Sequence, residues 1–182
     1  MDFNCGGLIL LIDVDSQPVG AMLCTGKIYE TIERGSGFFQ HGHTYLGHPT
    51  SAAAGVAVVN SMLDRGLIPQ VQTQGAKLMA ALRDRFGQHA HVGDIRGRGL
   101  FQGVELVADR ESKEPFDPSR KIAAKIKSAA FQAGLICYPM SGTIDGQHGD
   151  HVLLAPPFII SDDQIGELVD KLSGAVETAL QS

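Results

Sequence analysis

The chain has 182 residues, 43% of them hydrophobic and 19% charged, with a net charge of -5. That balance excludes a disordered chain and the basic footprint of a nucleic-acid-binding protein. Cys5, Cys24 and Cys137 form no C-x-x-C pair, so neither a disulfide framework nor a zinc ribbon is indicated, and a reducing cytoplasm is the expected location.

Residues 6–14 are apolar, but Asp2 precedes them, no positive leader is present and the run is too short to span a bilayer. A buried strand is the expectation, and no membrane association. Residues 8–12 (LILLI) read as that strand, covered on both faces as in a parallel sheet and ending at Asp13. A second strand is expected at 19–24 after Pro18, then a short helix at 27–34 stopped by Gly35 and Gly37. Residues 35–48 form a loop of glycine, histidine and aromatic residues. Pro49 opens an Ala-rich helix to about residue 64, and an amphipathic helix follows at 69–86, with Val71, Leu78, Leu82 and Phe86 near one face. The link between them, 66–69, reads as a turn or a kink.

After Gly87 the pattern changes. Residues 92–107 read as two strands about a turn at Gly97 and Gly99. A helix capped by Ser119 is expected at 120–133, a strand at 135–138, a loop at 141–150 and a strand at 152–154. Ser161 caps a last helix to about residue 180, with Asp162 and Asp163 at its positive end.

The segment HGHTYLGHPTSAAAG, 41–55, resembles the signature of the class III pyridoxal-phosphate (PLP) aminotransferases, in which a Thr-Tyr or Thr-Phe step precedes Gly-His-Pro and an Ala-rich helix. The resemblance continues, in order, through QPVGAMLCTGKIYE (17–30), GDIRGRGLFQGVEL (93–106), AGLICYP (133–139) and LLAPPFIISDDQI (153–165). It implies an α/β fold of type I: a remnant of the large PLP-binding domain over residues 1–65, a connecting helix over 66–90 and a small α+β domain over 91–182. The implied activity is transfer of an amino group from an amine or ω-amino acid to a keto acid, with PLP as cofactor. It also implies a homodimer with shared sites.

PLP needs a lysine amine for its aldehyde, a carboxylate for its ring nitrogen, and a hydroxyl with backbone N–H groups for its phosphate. The resemblance assigns the phosphate role to Thr44, reaching the cofactor of the neighbouring subunit; an ordinary loop hydroxyl is the plainer reading. Asp13 is either the partner of the ring nitrogen or a strand-end aspartate without special role. The cofactor lysine should lie a few residues before 17–20, where the chain reads Ile12-Asp13-Val14-Asp15-Ser16. No lysine stands there, so no catalytic residue is assigned. A truncated, catalytically impaired form is expected, whether by deletion, mis-assembly of the gene or engineering. The alternative is a non-catalytic remnant that dimerises or binds a partner.

Many family members place an arginine for an α-carboxylate just before the Ala/Ser-Pro-Pro step. Leu153 and Leu154 stand before Ala155-Pro156-Pro157 here, which resembles the branch acting on ω-amino acids or amines. Arg96 and Arg98, beside Gly97, read as turn residues. His41, His43, His48, His148 and His151 suggest imidazole ligation, but no carboxylate or cysteine completes a set, and no metal is expected.

Overall fold

The computed structural model describes residues 8–12, 19–42, 44 and 46–181. Two compact units divide between Arg65 and Gly66.

The first unit holds strands β1 (Leu8–Ile12) and β2 (Val19–Leu23), helix α1 (Gly26–Arg34) and helix α2 (Pro49–Asp64). The strands pair antiparallel, Leu8 with Leu23 and Ile12 with Val19. The parallel arrangement suggested by the apolar run of β1 is therefore corrected. Only six residues separate the strands, whereas a parallel crossover needs roughly a dozen or more. Helix α2 is rich in Ala and Val, yet Gly55 alone is buried along it.

The second unit begins with helix α3 (Leu67–Phe86), then strands β3 (Val92–Arg98) and β4 (Phe101–Leu106), helix α4 (Ile122–Gln132), strands β5 (Tyr138–Met140) and β6 (Asp150–Leu154), and helix α5 (Asp162–Gln181). The four strands form one antiparallel sheet in the order β3-β4-β6-β5. Side chains alternate across a strand. Gln102, Val104 and Leu106 of β4, with Val152 and Leu154 of β6, therefore face a core shared with the helices. Leu78, Leu82 and Phe86 of α3, Ile122 and Ile126 of α4, and Ile165, Val169 and Leu172 of α5 complete it. Phe101, Gly103, Glu105, His151 and Leu153 lie on the opposite, open face.

Local chemistry fixes the joints. Arg65 and Gly66 alone separate α2 from α3, and Gly66 adopts φ 62°, a left-handed value that favours glycine. Helix α3 starts two residues before Pro69, because proline is tolerated in a first turn, where the N–H groups lack intrahelical partners. At Ser161 a capping box forms: its Oγ accepts from Gln164 N at 3.2 Å, and Gln164 Oε1 accepts from Ser161 N at 3.0 Å.

Ser119 does not cap α4. It sits in a 3-10 turn, Pro118–Arg120, where Asp117 Oδ1 accepts from its N–H at 2.8 Å and its hydroxyl at 2.6 Å. Asp150, from β6, accepts instead from Ala123 N in the first turn of α4, at 3.3 Å. A carboxylate from a distant strand thus does the work expected of a local hydroxyl. The expected strand at 135–138 forms later, at Tyr138–Met140, on the sheet edge where Pro139 needs no partner for a missing N–H.

The tightest joint is between α3 and the β3–β4 turn. Gly75 and the backbone of Gly99 approach so closely that a Cβ at residue 75 would lie 2.3 Å from the Gly99 carbonyl carbon and oxygen. Gln102, 2% exposed, stitches the joint: its Nε2 donates to Gly75 O at 2.7 Å and to Gly99 O at 2.8 Å.

Candidate active site

The loop between α1 and α2 carries the candidate phosphate contact. Thr44 is an exposed turn residue, four positions before the cap of α2. Gly47 turns the chain with φ 71°. His48 caps α2, its Nδ1 accepting from Ser51 N at 3.4 Å, and Pro49 occupies the first helical position. The cap was invisible in the sequence, because histidine is an unusual capping residue. An exposed hydroxyl just before a helix start suits an anion, since the dipole and the unpaired N–H groups both favour negative charge there. Asp13 and His43 lie outside the described residues.

All seven lysines of the sequence are described, and each is accounted for elsewhere. Lys27 is in the first turn of α1. Lys77 binds Asp162 at 2.7 Å, Lys171 binds Glu167 at 2.6 Å, and Lys113 donates to Gly93 O. Lys121 precedes α4 at φ 52°, and Lys125 and Lys127 lie on that helix. Lys27 comes four residues after the apolar strand β2 but stands inside the first turn of α1, and none of the seven lies in a glycine-rich loop behind a strand. The described residues therefore fit the phosphate end of PLP and offer nothing for its aldehyde.

Leu153 stands on the open face of β6, paired with Gly103 of β4 and Tyr138 of β5. It walls a cleft of about 280 Å³ together with Arg96, Phe101, Glu105 and His151. Arg96 Nη1 donates to Asp94 Oδ2 at 2.8 Å and to Glu105 Oε2 at 3.1 Å. The guanidinium holds the Asp94 carboxyl below its ordinary range. Arg98 pairs with Phe101 where the strands meet their turn.

Elsewhere, Asp145 accepts from the backbone N–H groups of His148 and Gln147 and faces the His148 ring at 2.8 Å; these contacts lower its pKa to about 2. Burial pushes the Asp150 carboxyl up. Among the described residues, no group of three or more His, Cys, Asp or Glu side chains is arranged to hold a metal ion. Among them, too, no helix is long and apolar enough to cross a membrane.

A family model for class III aminotransferases matches residues 15–176. The chain belongs to the class III aminotransferases. The family is PLP-dependent and acts on small molecules. An uncharacterized aminotransferase of Bacillus subtilis, YodT, is 42% identical over 159 residues, covering 87% of this chain and 36% of the relative. The diaminobutyrate–2-oxoglutarate transaminase of Halomonas elongata is 30% identical over 163 residues, covering 88% and 34%.

Solved structures agree. A transaminase from the marine bacterium Virgibacillus superposes with a TM-score of 0.80 at 30% identity, over 90% of this chain and 36% of that one. A thermostable (S)-enantioselective omega-transaminase from Thermomicrobium roseum gives 0.78 at 30% identity, over 90% and 34%. The chain thus spans about a third of the length of the relatives it matches.

Proposed function

We propose that this chain contributes the phosphate-contact loop and the small domain of a PLP-dependent amine or ω-amino-acid transaminase, and that the 182 residues alone are catalytically impaired. Residues 1–65 would be the large-domain remnant, 66–90 the connecting helix and 91–182 the small domain. The observation that carries this reading is the placement of all seven lysines in helices, turns and ion pairs, with Lys27, which follows strand β2, held within the first turn of α1.

When bound in this family, PLP supplies an electron sink for amino transfer. Thr44 would hold its phosphate, across a homodimer in the sense the family implies. Asp13 is the remaining candidate for the ring nitrogen. Leu153, in the place of a carboxylate-binding arginine, supports donors without an α-carboxylate. An apolar wall offers such a group no charge-assisted hydrogen bond.

The test is direct. PLP is added to the purified chain, borohydride is applied, and labelled lysine is sought by peptide mass spectrometry. Amino transfer from β-alanine, γ-aminobutyrate or an aromatic amine to pyruvate is then assayed. The expected result is no labelled lysine and no turnover. A labelled lysine with turnover overturns the reading.

A second reading, a non-catalytic dimerising remnant, is favoured by α2: Val56 is 61% and Leu63 64% exposed on a helix rich in Ala and Val. Light scattering of the chain with a parallel PLP titration separates them: a stable dimer that takes up no PLP supports the remnant, whereas saturable PLP uptake or a monomer removes it.

A further inference from the structure

Beyond α4 the chain closes on itself. Gly134 adopts φ 75°, and Leu135 N donates back to Ala130 O at 2.8 Å. The closure lays Leu135, Ile136 and Cys137 alongside the helix and leaves Ile136 88% exposed, with Phe131 71% exposed facing the same space. Leu135 and Ile136 are a wall shared by two clefts. One, of about 420 Å³, is bordered by Lys171 and Glu167, which neutralise each other at 2.6 Å. The other, of about 340 Å³, lies between α4 and residues 135–137, and Lys127 is the one charged residue lining it. Its size is that of a small-molecule site.

Charge decides what this second cleft suits. Helix α4 carries no acidic residue, and Lys121 and Lys125 add to the charge of Lys127. Among the described residues, no ion pair includes any of the three. Ser128 sets a hydroxyl next to Lys127 on the same wall. The negative end of the helix dipole opposes an anion only within the last turn, and Lys127 lies five residues before Gln132. The remaining walls are apolar. Burial pushes the Cys137 thiol up, so it stays neutral near pH 7 and presents sulfur rather than charge. An added peptide strand is disfavoured, because Pro139 removes a donor from the three-residue edge strand that follows.

We propose that the cleft between α4 and residues 135–137 binds a medium-chain aliphatic carboxylate, with the carboxylate on Lys127 and Ser128 and the chain against Phe131, Ile136 and Cys137. An unpaired cation above an apolar trough complements such an amphiphile at both ends. This goes beyond the transaminase reading. The cleft lies beside α4, on the helix-covered side of the sheet rather than on the open face that holds Leu153, and it needs no PLP, so either reading can fail while the other stands.

The experiment titrates the full chain, without PLP, with sodium octanoate, and in parallel with octanol and octylammonium chloride, all below micelle formation. Amide shifts are followed by NMR, and circular dichroism checks the fold at each end point. Saturable shifts centred on Lys127, Phe131 and Ile136 are expected for octanoate, with octanol about tenfold weaker and octylammonium weaker still. Lys127→Gln should bring octanoate to the level of octanol and leave octanol unchanged. Ile136→Gln, at an exposed position, should weaken octanoate and octanol alike. Lys171→Gln, in the neighbouring cleft, should change neither. Octylammonium binding as well as octanoate, no saturable shifts, shifts centred elsewhere, loss of helical signal on titration, no effect of Lys127→Gln, or an equal effect of Lys171→Gln would each overturn the proposal.

Discussion

Replacing Gly75 by alanine tests the closest contact in the fold. The new Cβ would lie 2.3 Å from the Gly99 carbonyl carbon and oxygen and 2.5 Å from its Cα. Ordinary carbon contacts lie at about 3.5–4.0 Å, so α3 and the β3–β4 turn must part by about 1 Å or more. Neither side is a flexible side-chain tip. Overpacking of this kind costs about 1–3 kcal/mol, and rigid backbone on both sides places this case at the upper end. The separation also stretches the 2.7 Å bond from Gln102 Nε2 to Gly75 O in a buried site. A weakened buried hydrogen bond adds about 1 kcal/mol. Against this, alanine gains about 1 kcal/mol over glycine in a helix. The net is a destabilisation of about 3 kcal/mol, or roughly 10 °C in Tm for a unit of this size. Thermal and urea denaturation followed by circular dichroism would measure it. The control is Gly166→Ala in α5, where a Cβ meets nothing within 4 Å. That variant should be more stable by about 0.5–1 kcal/mol from helix propensity alone. If Gly75→Ala proves as stable as Gly166→Ala, the steric reasoning is wrong.

Acid should weaken the tie between α3 and α5. Hydrogen bonds from Lys77 and then Gln74 hold the Asp162 carboxyl below its ordinary value of 3.8. Its contribution is full above 3.8 and is lost as pH falls through the lowered folded value, so Asp162→Asn should flatten the acid limb of a stability-versus-pH curve. Asp145 behaves alike over the window from 3.8 down to about 2, and a carbon-detected NMR titration should place its midpoint near the lower figure. Asp150 has the opposite sign. Burial raises its folded pKa, so its contribution is present below 3.8 and lost as pH rises through the folded value. Asp150→Asn, which can still accept from Ala123 N, should therefore gain stability relative to the parent chain on going from pH 4 to pH 7, as read from paired urea midpoints. Finally, Gln102→Leu should destabilise by about 1–3 kcal/mol, because the N–H groups it removes leave the carbonyls of Gly75 and Gly99 without their partner in a buried joint. Equilibrium urea unfolding would check this.

Much of the second unit was legible because its signals are local and periodic. The Gly97–Gly99 punctuation located the β3–β4 hairpin, and Ser161 followed by Asp162 and Asp163 located the start of α5. What escaped depends on residues distant in sequence. Ser119 looks like a helix cap until the fold brings Asp150 to Ala123, 27 positions away along the chain. Gln102 alternates correctly with its neighbours as an inward residue, and nothing in one sequence says that its two N–H groups will hold a turn against α3. The β1–β2 pairing escaped for another reason. A continuous apolar run reports that a strand is covered, not which way its neighbour runs, and six residues of connection admit only the antiparallel choice.

The candidate site divides along the same line. Thr44 is a candidate because a short ordered motif surrounds it, and it stands on an exposed turn before a capped helix, where an anion is favoured for reasons independent of any family. The missing lysine was also found from sequence, and its force increases with the structure. A lysine distant in sequence could in principle have been folded into the role. Instead Lys77 and Lys171 are spent on Asp162 and Glu167, Lys113 on a backbone carbonyl, and the remaining four lie on or beside α1 and α4. Freeing Lys77 would also undo the link that joins the start of α5 to α3, so recruiting it for chemistry would cost the fold a contact it uses. The proposed impairment of these residues alone therefore follows from where every lysine is, as well as from where one is absent.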